Sequence, residues 1–454
     1  MIEIKNIDPT VIQLMNFETV ELGRKLTTYK CEFWKPGPRG KVRKEYDKDF
    51  VSGSQRTGWF LYAGFKNRIK EYCEVKGLEF RETGEELRIE PVREPGLAGV
   101  EIRDYQLEAI KSIIEKQRGI VHAATRSGKS IIAIGAASCF PKPKLLYLAP
   151  SIDIVNEIHG KFVECGFKAC KLGGGQKDIT EDIVVSTLQT YVRLDLIKLS
   201  NKFDIIFCDE IHLSSEPGSA LEKILSKNLS IVRVGFTATI PTEPSKKLTL
   251  QGLFGDKIME LSVKDGIEKH GVLAKPRIEL LAVSESKEIN LCKTYHEIYD
   301  LAICRNKIRN RLIAKYAKTV ADENGTVLIF CVNLIHIELL SKELDLLSVE
   351  HEIVEGKVSG DDRTISKEKM KSGKLNVIIS SNCWAEGVTL PALSHVINAS
   401  GMKSESRLLQ KMGRGLGKVE GKEEIVLVDF LDPYKHLAQH SIARLCVYKN
   451  MGWL

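Results

Sequence analysis

The eleven cysteines include no Cys-x-x-Cys pair. They run singly from Cys31 to Cys446, so a zinc ribbon has nothing to be built from. Cys139, Cys208 and Cys331 lie inside apolar runs, where a reduced thiol acts as a small hydrophobe, and a reducing cytoplasm is the expected compartment. No apolar run approaches the roughly 18 residues a membrane helix needs. The start, from Met1 to Thr10, lacks the basic-then-apolar order of a signal peptide. No membrane partner is expected. Low-complexity tracts are missing as well. Charge of one sign is scarce: 67 Lys and Arg against 60 Asp and Glu leave a net +7, which suits a polyanionic partner without requiring one. What is present is an ordinary globular composition, 43% hydrophobic and 28% charged, over 454 residues, enough for two to four domains.

Three regions differ in texture. Residues 1–97 carry clustered charge and a turn at Pro36-Gly37-Pro38-Arg39-Gly40, and are expected to form a small α+β accessory domain. The stretch 93–99, interrupted by Pro95-Gly96, reads as a linker. From about residue 100, short apolar runs at 119–123, 144–149, 182–186, 204–208 and 231–236 alternate with helical patterns such as 128–138. Continuous runs rich in Ile and Val are the mark of parallel strands buried on both faces. Alternation with helices makes a doubly wound α/β domain. The pattern recurs at 326–331, 376–380, 395–399 and 424–430, with a helix at 334–345. Two such lobes are expected, at 98–275 and 276–454, with 256–276 connecting them. Residues 295–318 read as one long basic helix.

Ala123-Ala124-Thr125-Arg126-Ser127-Gly128-Lys129-Ser130 follows an apolar strand and opens a helix. In that position successive backbone N–H groups surround a phosphate, and the helix N-terminus favours the anion. Gly128 lets the backbone approach closely, Lys129 can reach the β- and γ-phosphates, and Ser130 can offer its hydroxyl to Mg²⁺. Ala123 stands where the general pattern has Gly, and a purely structural turn is the competing reading.

The run Asp204-Ile205-Ile206-Phe207-Cys208-Asp209-Glu210-Ile211-His212 is an apolar strand ending in two acids. Ligands of parallel sheets gather at the carboxyl ends of strands. There Asp209 can hold Mg²⁺ and Glu210 can deprotonate an attacking water. The alternative is that the acids only cap a helix.

In this order the motifs resemble those of superfamily 2 helicases of the DExH type, over roughly residues 99–430. Arg103 and Gln106 are similar to the family's adenine-side motif; 123–130 resembles motif I, and Asp209-Glu210-Ile211-His212 motif II. Tyr147-Leu148-Ala149-Pro150-Ser151 resembles motif Ia, Val185-Ser186-Thr187-Leu188-Gln189-Thr190 Ib, and Thr237-Ala238-Thr239 III. Further on, 327–332 resembles motif IV, 380–391 with Glu386-Gly387-Val388-Thr389 motif V, and Gln410-Lys411-Met412-Gly413-Arg414-Gly415 motif VI. Leu253-Phe254-Gly255-Asp256 and the following Leu261-Ser262-Val263-Lys264-Asp265 are similar to a segment of the UvsW-like, XPB- and RecG-related subgroup.

The resemblance implies two RecA-like lobes and an ATP-dependent DNA helicase or branch-migration motor, acting as a monomer in the cytoplasm of a bacterial or phage-infected cell. It places ATP and Mg²⁺ with Arg103, Gln106, Thr125, Arg126, Ser127, Gly128, Lys129, Ser130, Asp209, Glu210, Gly387, Gln410 and Arg414. It places DNA on Ser151, Thr187, Gln189 and Thr389, as backbone contacts without sequence preference. The motifs do not distinguish the sugar, so an RNA helicase is the alternative; a nucleic-acid-binding protein with a weakened motor is another. One position departs from the family: Gly417, followed by Lys418, stands where motif VI has a second arginine. A lysine does not reproduce the planar fork of that arginine.

Between Leu22 and Lys44 eight basic residues surround Tyr29, Phe33 and Trp34. Arg39, Lys41, Arg43 and Lys44 are the candidates for phosphate contacts there, with the aromatics stacking on bases. The other reading is a β-rich domain with aromatics in its core and solvated lysines. Lys307, Arg311 and Lys315 share a helical face that reads as solvated.

Overall fold

A computed structural model describes residues 1–37, 40–97, 99–173, 179–355, 360–381, 393–402 and 424–454; for 32–37, 40–44, 287, 360, 361, 363 and 364 it describes the backbone alone. Two compact units emerge: Met1–Ala123 with Gly128–Leu261, and Ser262–Leu454 with Ala124–Ser127.

The first unit opens with a five-stranded sheet in the order β5-β6-β2-β1-β7, made of β1 (Ile2–Asn6), β2 (Val11–Leu14), β5 (Ser52–Ser54), β6 (Gly58–Tyr62) and β7 (Phe80–Thr83). Helices Phe17–Thr27 and Lys66–Lys76 contribute Val20, Leu22, Ile69 and Cys73 to its core. Between them β3 (Tyr29–Gly37) and β4 (Gly40–Lys48) form a separate antiparallel ribbon.

Next comes a seven-stranded parallel sheet in the order β10-β11-β9-β12-β13-β8-β14. Its strands are β8 (Arg118–Ala123), β9 (Leu145–Ala149), β10 (Ala169–Leu172), β11 (Ile183–Thr187), β12 (Ile205–Cys208), β13 (Val232–Thr237) and β14 (Lys257–Leu261). Every residue of β9, β11, β12 and β13 is buried, as the unbroken apolar runs require.

The N-terminal sheet is welded to this one by a buried arginine, Arg233, and a half-buried one, Arg118. Arg233, 1% exposed, donates to Thr10 Oγ1 (2.8 Å) and to the carbonyls of Ser230 (3.1 Å), Leu225 (3.2 Å) and Asn228. Arg118 donates to the carbonyls of Pro9 and Leu253. Gly64 lies so close to the helix Pro244–Phe254 that an added Cβ would stand 2.1 Å from Gln251 O. The stretch expected as a linker is packed as well: Arg93 Nε donates to Ser138 O (2.5 Å), and Ser138 Oγ to Gly96 O.

The second unit holds a six-stranded parallel sheet in the order β15-β20-β19-β16-β18-β17. It comprises β15 (Lys275–Ala282), β16 (Val327–Phe330), β17 (His351–Val354), β18 (Val377–Ser380), β19 (His395–Asn398) and β20 (Glu424–Leu431). The expected pair of doubly wound parallel lobes is what is found. The segment 256–276 is more than a connection, since β14 closes the first sheet and a short helix, Val263–Glu268, follows.

The long basic helix is corrected. Helix Tyr295–Tyr299 runs into a wide turn, Asp300–Cys304, and a new helix, Lys307–Asp322, starts after Asn306, whose side chain accepts from Arg309 N (3.1 Å). An N-cap residue takes up a non-helical backbone, which breaks the run. Lys307, Arg311 and Lys315 are exposed, but Arg309 is fully buried, paired with Asp432 at 3.3 Å and stacked on Phe430 at 4.1 Å.

Candidate functional site

The carboxyl ends of β8, β12 and β13 are neighbours in the first parallel sheet, and they carry the candidate nucleotide chemistry. After β8 the chain turns through Arg126 at φ 74° and Gly128 at φ 81°, and helix Lys129–Ser138 begins with no side-chain cap. Its first N–H groups are therefore left for a ligand. Gly128 is required sterically as well as conformationally: a Cβ there would stand 2.2 Å from Gln106 Nε2. Gln106 is in turn held by Arg103 N, which donates to Gln106 Oε1 at 3.0 Å. Arg103, Gln106 and Gly128 are thus packed together.

At the end of β12, Asp209 accepts from Glu210 N (2.9 Å), and Glu210 Oε1 lies 3.4 Å from Lys129 Nζ. Glu210 sits at φ 46°, ψ 48°, a left-handed conformation that a non-glycine residue holds at a cost of about 1–3 kcal/mol. Burial and the adjacent Glu210 charge push the Asp209 carboxyl up to about 7, while the Lys129 charge and the hydrogen bond from Glu210 N pull the other way. Lys129 brings one positive charge against two carboxylates, and a divalent cation carrying phosphate oxygens would complete the balance; the donor set fits Mg²⁺. Among the described residues no three or more His, Cys, Asp or Glu cluster as a metal cage; Ser130 and Asp209 are the candidates to hold such an ion.

His212 connects β12 to β13. Its Nδ1 lies 2.9 Å from Thr237 Oγ1 and 3.4 Å from Glu210 Oε2. Burial lowers its pKa and favours a neutral ring. Thr237 Oγ1 donates to Thr239 O (2.8 Å), so the hydroxyl is left to accept from the imidazole N–H.

The candidate strand contacts sit at the ends of β9 and β11, neighbouring strands on the other side of β12. Ser151 and Thr187 are N-caps: Ile154 N donates to Ser151 Oγ (3.4 Å) and Thr190 N to Thr187 Oγ1 (3.1 Å). Their hydroxyls hold two helix N-termini at this edge, while Gln189 is exposed. Sequence reading missed Lys161, which lies 31 residues from Ser130 yet donates to Ser130 Oγ at 3.2 Å.

Gly387, Thr389, Gln410, Arg414, Gly417, Lys418 and Arg39 lie outside the described residues. Lys41, Arg43 and Lys44 are on β4, where the register sets Arg43 opposite Trp34 and Lys44 opposite Phe33. Tyr29 is core, 4% exposed.

Residues 99–242 match the family described as type III restriction enzyme, res subunit, and 309–416 match the helicase conserved C-terminal domain. The chain is 25% identical over 383 residues to the DNA 3'-5' translocase XPB2 of Sulfurisphaera tokodaii, covering 76% of this chain and 84% of that protein. It is 25% identical over 348 residues to the ATP-dependent DNA helicase uvsW of Enterobacteria phage T4, covering 72% and 68%. S. cerevisiae Dbp5 bound to RNA and ADP BeF3 is similar in structure, with TM-score 0.54 at 15% identity over 78% of this chain and 92% of that one. So is Mycobacterium smegmatis helicase Lhr bound to ssDNA and AMP-PNP, with TM-score 0.54 at 16% identity over 77% and 47%. Among the described residues no helix is long and apolar enough to cross a membrane.

Proposed function

The chain belongs to the superfamily 2 helicases, and from that premise we propose that it couples hydrolysis of Mg²⁺-bound ATP to unwinding or branch migration of forked and branched DNA. The observation that carries the reading is the layout of one sheet edge. Gly128, Lys129, Asp209 and Glu210 converge at the ends of β8 and β12, while Ser151 and Thr187 order two helix N-termini at β9 and β11. A nucleotide and a phosphodiester backbone can then be held by one rigid lobe at separate places.

In this reading Lys129 neutralises the β- and γ-phosphates, and Ser130 and Asp209 hold the metal. When bound, the metal screens charge on the transferring phosphoryl group. Glu210 orients the attacking water and takes its proton, and Lys129 holds that carboxylate in place. His212 ties the Glu210 turn to Thr237, so a change at either carboxylate reaches β13. Arg414 supplies the positive charge of the second lobe.

The likeness to two DNA enzymes supports DNA as the polymer. The test is ATPase and unwinding measured on forked, four-way and plain duplex DNA and on duplex RNA. Highest activity on branched DNA is expected. Equal activity on plain duplex would contradict the branched preference, and stimulation by RNA alone would replace DNA as the substrate.

A further inference from the structure

The hydroxyl of Ser130 is already in use. Lys161, near the end of helix Ile152–Glu164, donates to Ser130 Oγ at 3.2 Å and to Glu157 Oε1 at 2.5 Å. Mg²⁺ takes oxygen ligands at about 2.1 Å. An ion on Ser130 Oγ would therefore stand within roughly 5 Å of the Lys161 ammonium, close enough for strong like-charge repulsion even where water partly screens it. Lys161 has somewhere else to go. Its side chain is 32% exposed and Glu157, one turn earlier on the same helix face, remains a partner when Ser130 is released. The observed position bridges Ser130 and Glu157, and release of Ser130 would leave the lysine on Glu157.

We propose that Lys161 is a cationic placeholder that holds Ser130 before the metal arrives and sets how much Mg²⁺ nucleotide binding requires. The proposal rests on the reading of Ser130 as a metal ligand. It also gives helix Ile152–Glu164 a part in nucleotide loading, because Ser151, a candidate strand contact, caps the other end of that helix. Lys161 acts through Ser130 and is a positioning residue.

The experiment is binding of a fluorescent ADP analogue to the full chain, titrated with Mg²⁺ alone, with no turnover in the readout. Lys161→Gln keeps a polar side chain and removes the charge. It should lower the Mg²⁺ concentration for half-maximal binding by about threefold to tenfold. Lys161→Arg keeps the charge and should stay near the parental value. Ser130→Ala should flatten the Mg²⁺ dependence. If Ser130→Ala flattens it while Lys161→Gln leaves the midpoint unchanged or raises it, the placeholder is overturned and the metal-ligand reading stands. A parental Mg²⁺ dependence in Ser130→Ala overturns both.

Discussion

The two parallel sheets share one plan and use it differently. Numbering six strands of each in chain order, β8 to β13 and β15 to β20, both read 3-4-2-5-6-1 across the sheet. In the first, besides the hydrogen-bonded Arg233 at the start of β13, Lys129, Asp209 and Glu210 cluster at the carboxyl ends of strands, where burial pushes the Asp209 carboxyl up. In the second, buried charge among the described residues is paired off. Arg444 meets Asp429 at 2.7 Å and Arg309 meets Asp432 at 3.3 Å, while Tyr448 donates to Asp429 at 2.6 Å. These arginines also donate to the carbonyls of Ala399 (2.8 Å), Met402 (3.3 Å) and Phe430 (2.8 Å). The same topology thus keeps a strained cluster where chemistry is proposed and an ion-paired network in the other lobe.

The sharpest test of this contrast is whether the second lobe also contributes chemistry. Arg414→Ala should lower nucleic-acid-stimulated ATPase by about three to five decades, the range for loss of an arginine finger. Lys418→Ala should change it little. If Lys418→Ala is the more impaired, the roles are reversed; if neither matters, the second lobe's share of the site fails. Glu210→Gln comes next, with single-turnover hydrolysis falling by about two to four decades and nucleotide binding retained. An unchanged rate would remove Glu210 from its role.

Stability should separate the lobes by less. Arg444→Met strands Asp429 in the interior and should cost about 3–5 kcal/mol. Arg233→Met loses only carbonyl and hydroxyl partners and should cost about 1–3 kcal/mol. Chemical denaturation of both variants measures the difference, and equal losses would erase it. The smallest effect is in pH. A carboxyl raised to about 7 keeps a proton in the folded protein that the unfolded chain releases near its ordinary 3.8. The stability it contributes is present in acid and is lost as pH rises from about 4 to about 7. Metal binding needs the carboxylate, so affinity for Mg²⁺ and nucleotide should strengthen between about pH 6 and 8, and Asp209→Asn should abolish that slope. A flat profile in the parental protein would show that the Asp209 carboxyl does not titrate in this range.

The central strands were readable because parallel strands buried on both faces leave continuous apolar runs. The four strands that went unread, β10, β14, β15 and β17, are the edges of the two sheets. Half-exposed, they mix lysine and glutamate into their runs, as in Lys257–Leu261 and His351–Val354. Lys129, Asp209 and Glu210 were legible as local motifs. Lys161 at Ser130 and Thr10 at Arg233 were not, since each contact joins residues far apart in the chain. Arg309 looked like one more basic residue on a solvated helix; only packing reveals the aspartate beneath it. The welded N-terminal sheet likewise changes what a truncation at residue 97 tests. Removing it uncovers Arg118 and Arg233, so lost activity would report damage to the first lobe as much as lost DNA contact.

In the proposed function one lobe holds nucleotide and strand at separate stations of the same sheet edge. This arrangement is tested most directly by measuring DNA affinity and DNA-stimulated ATP hydrolysis side by side in Lys129→Ala. Hydrolysis should vanish while DNA affinity stays within about twofold of the parental protein, because Ser151 and Thr187 lie at other strand ends. Hydrolysis at the parental rate, or loss of DNA binding in a folded variant, would contradict the account.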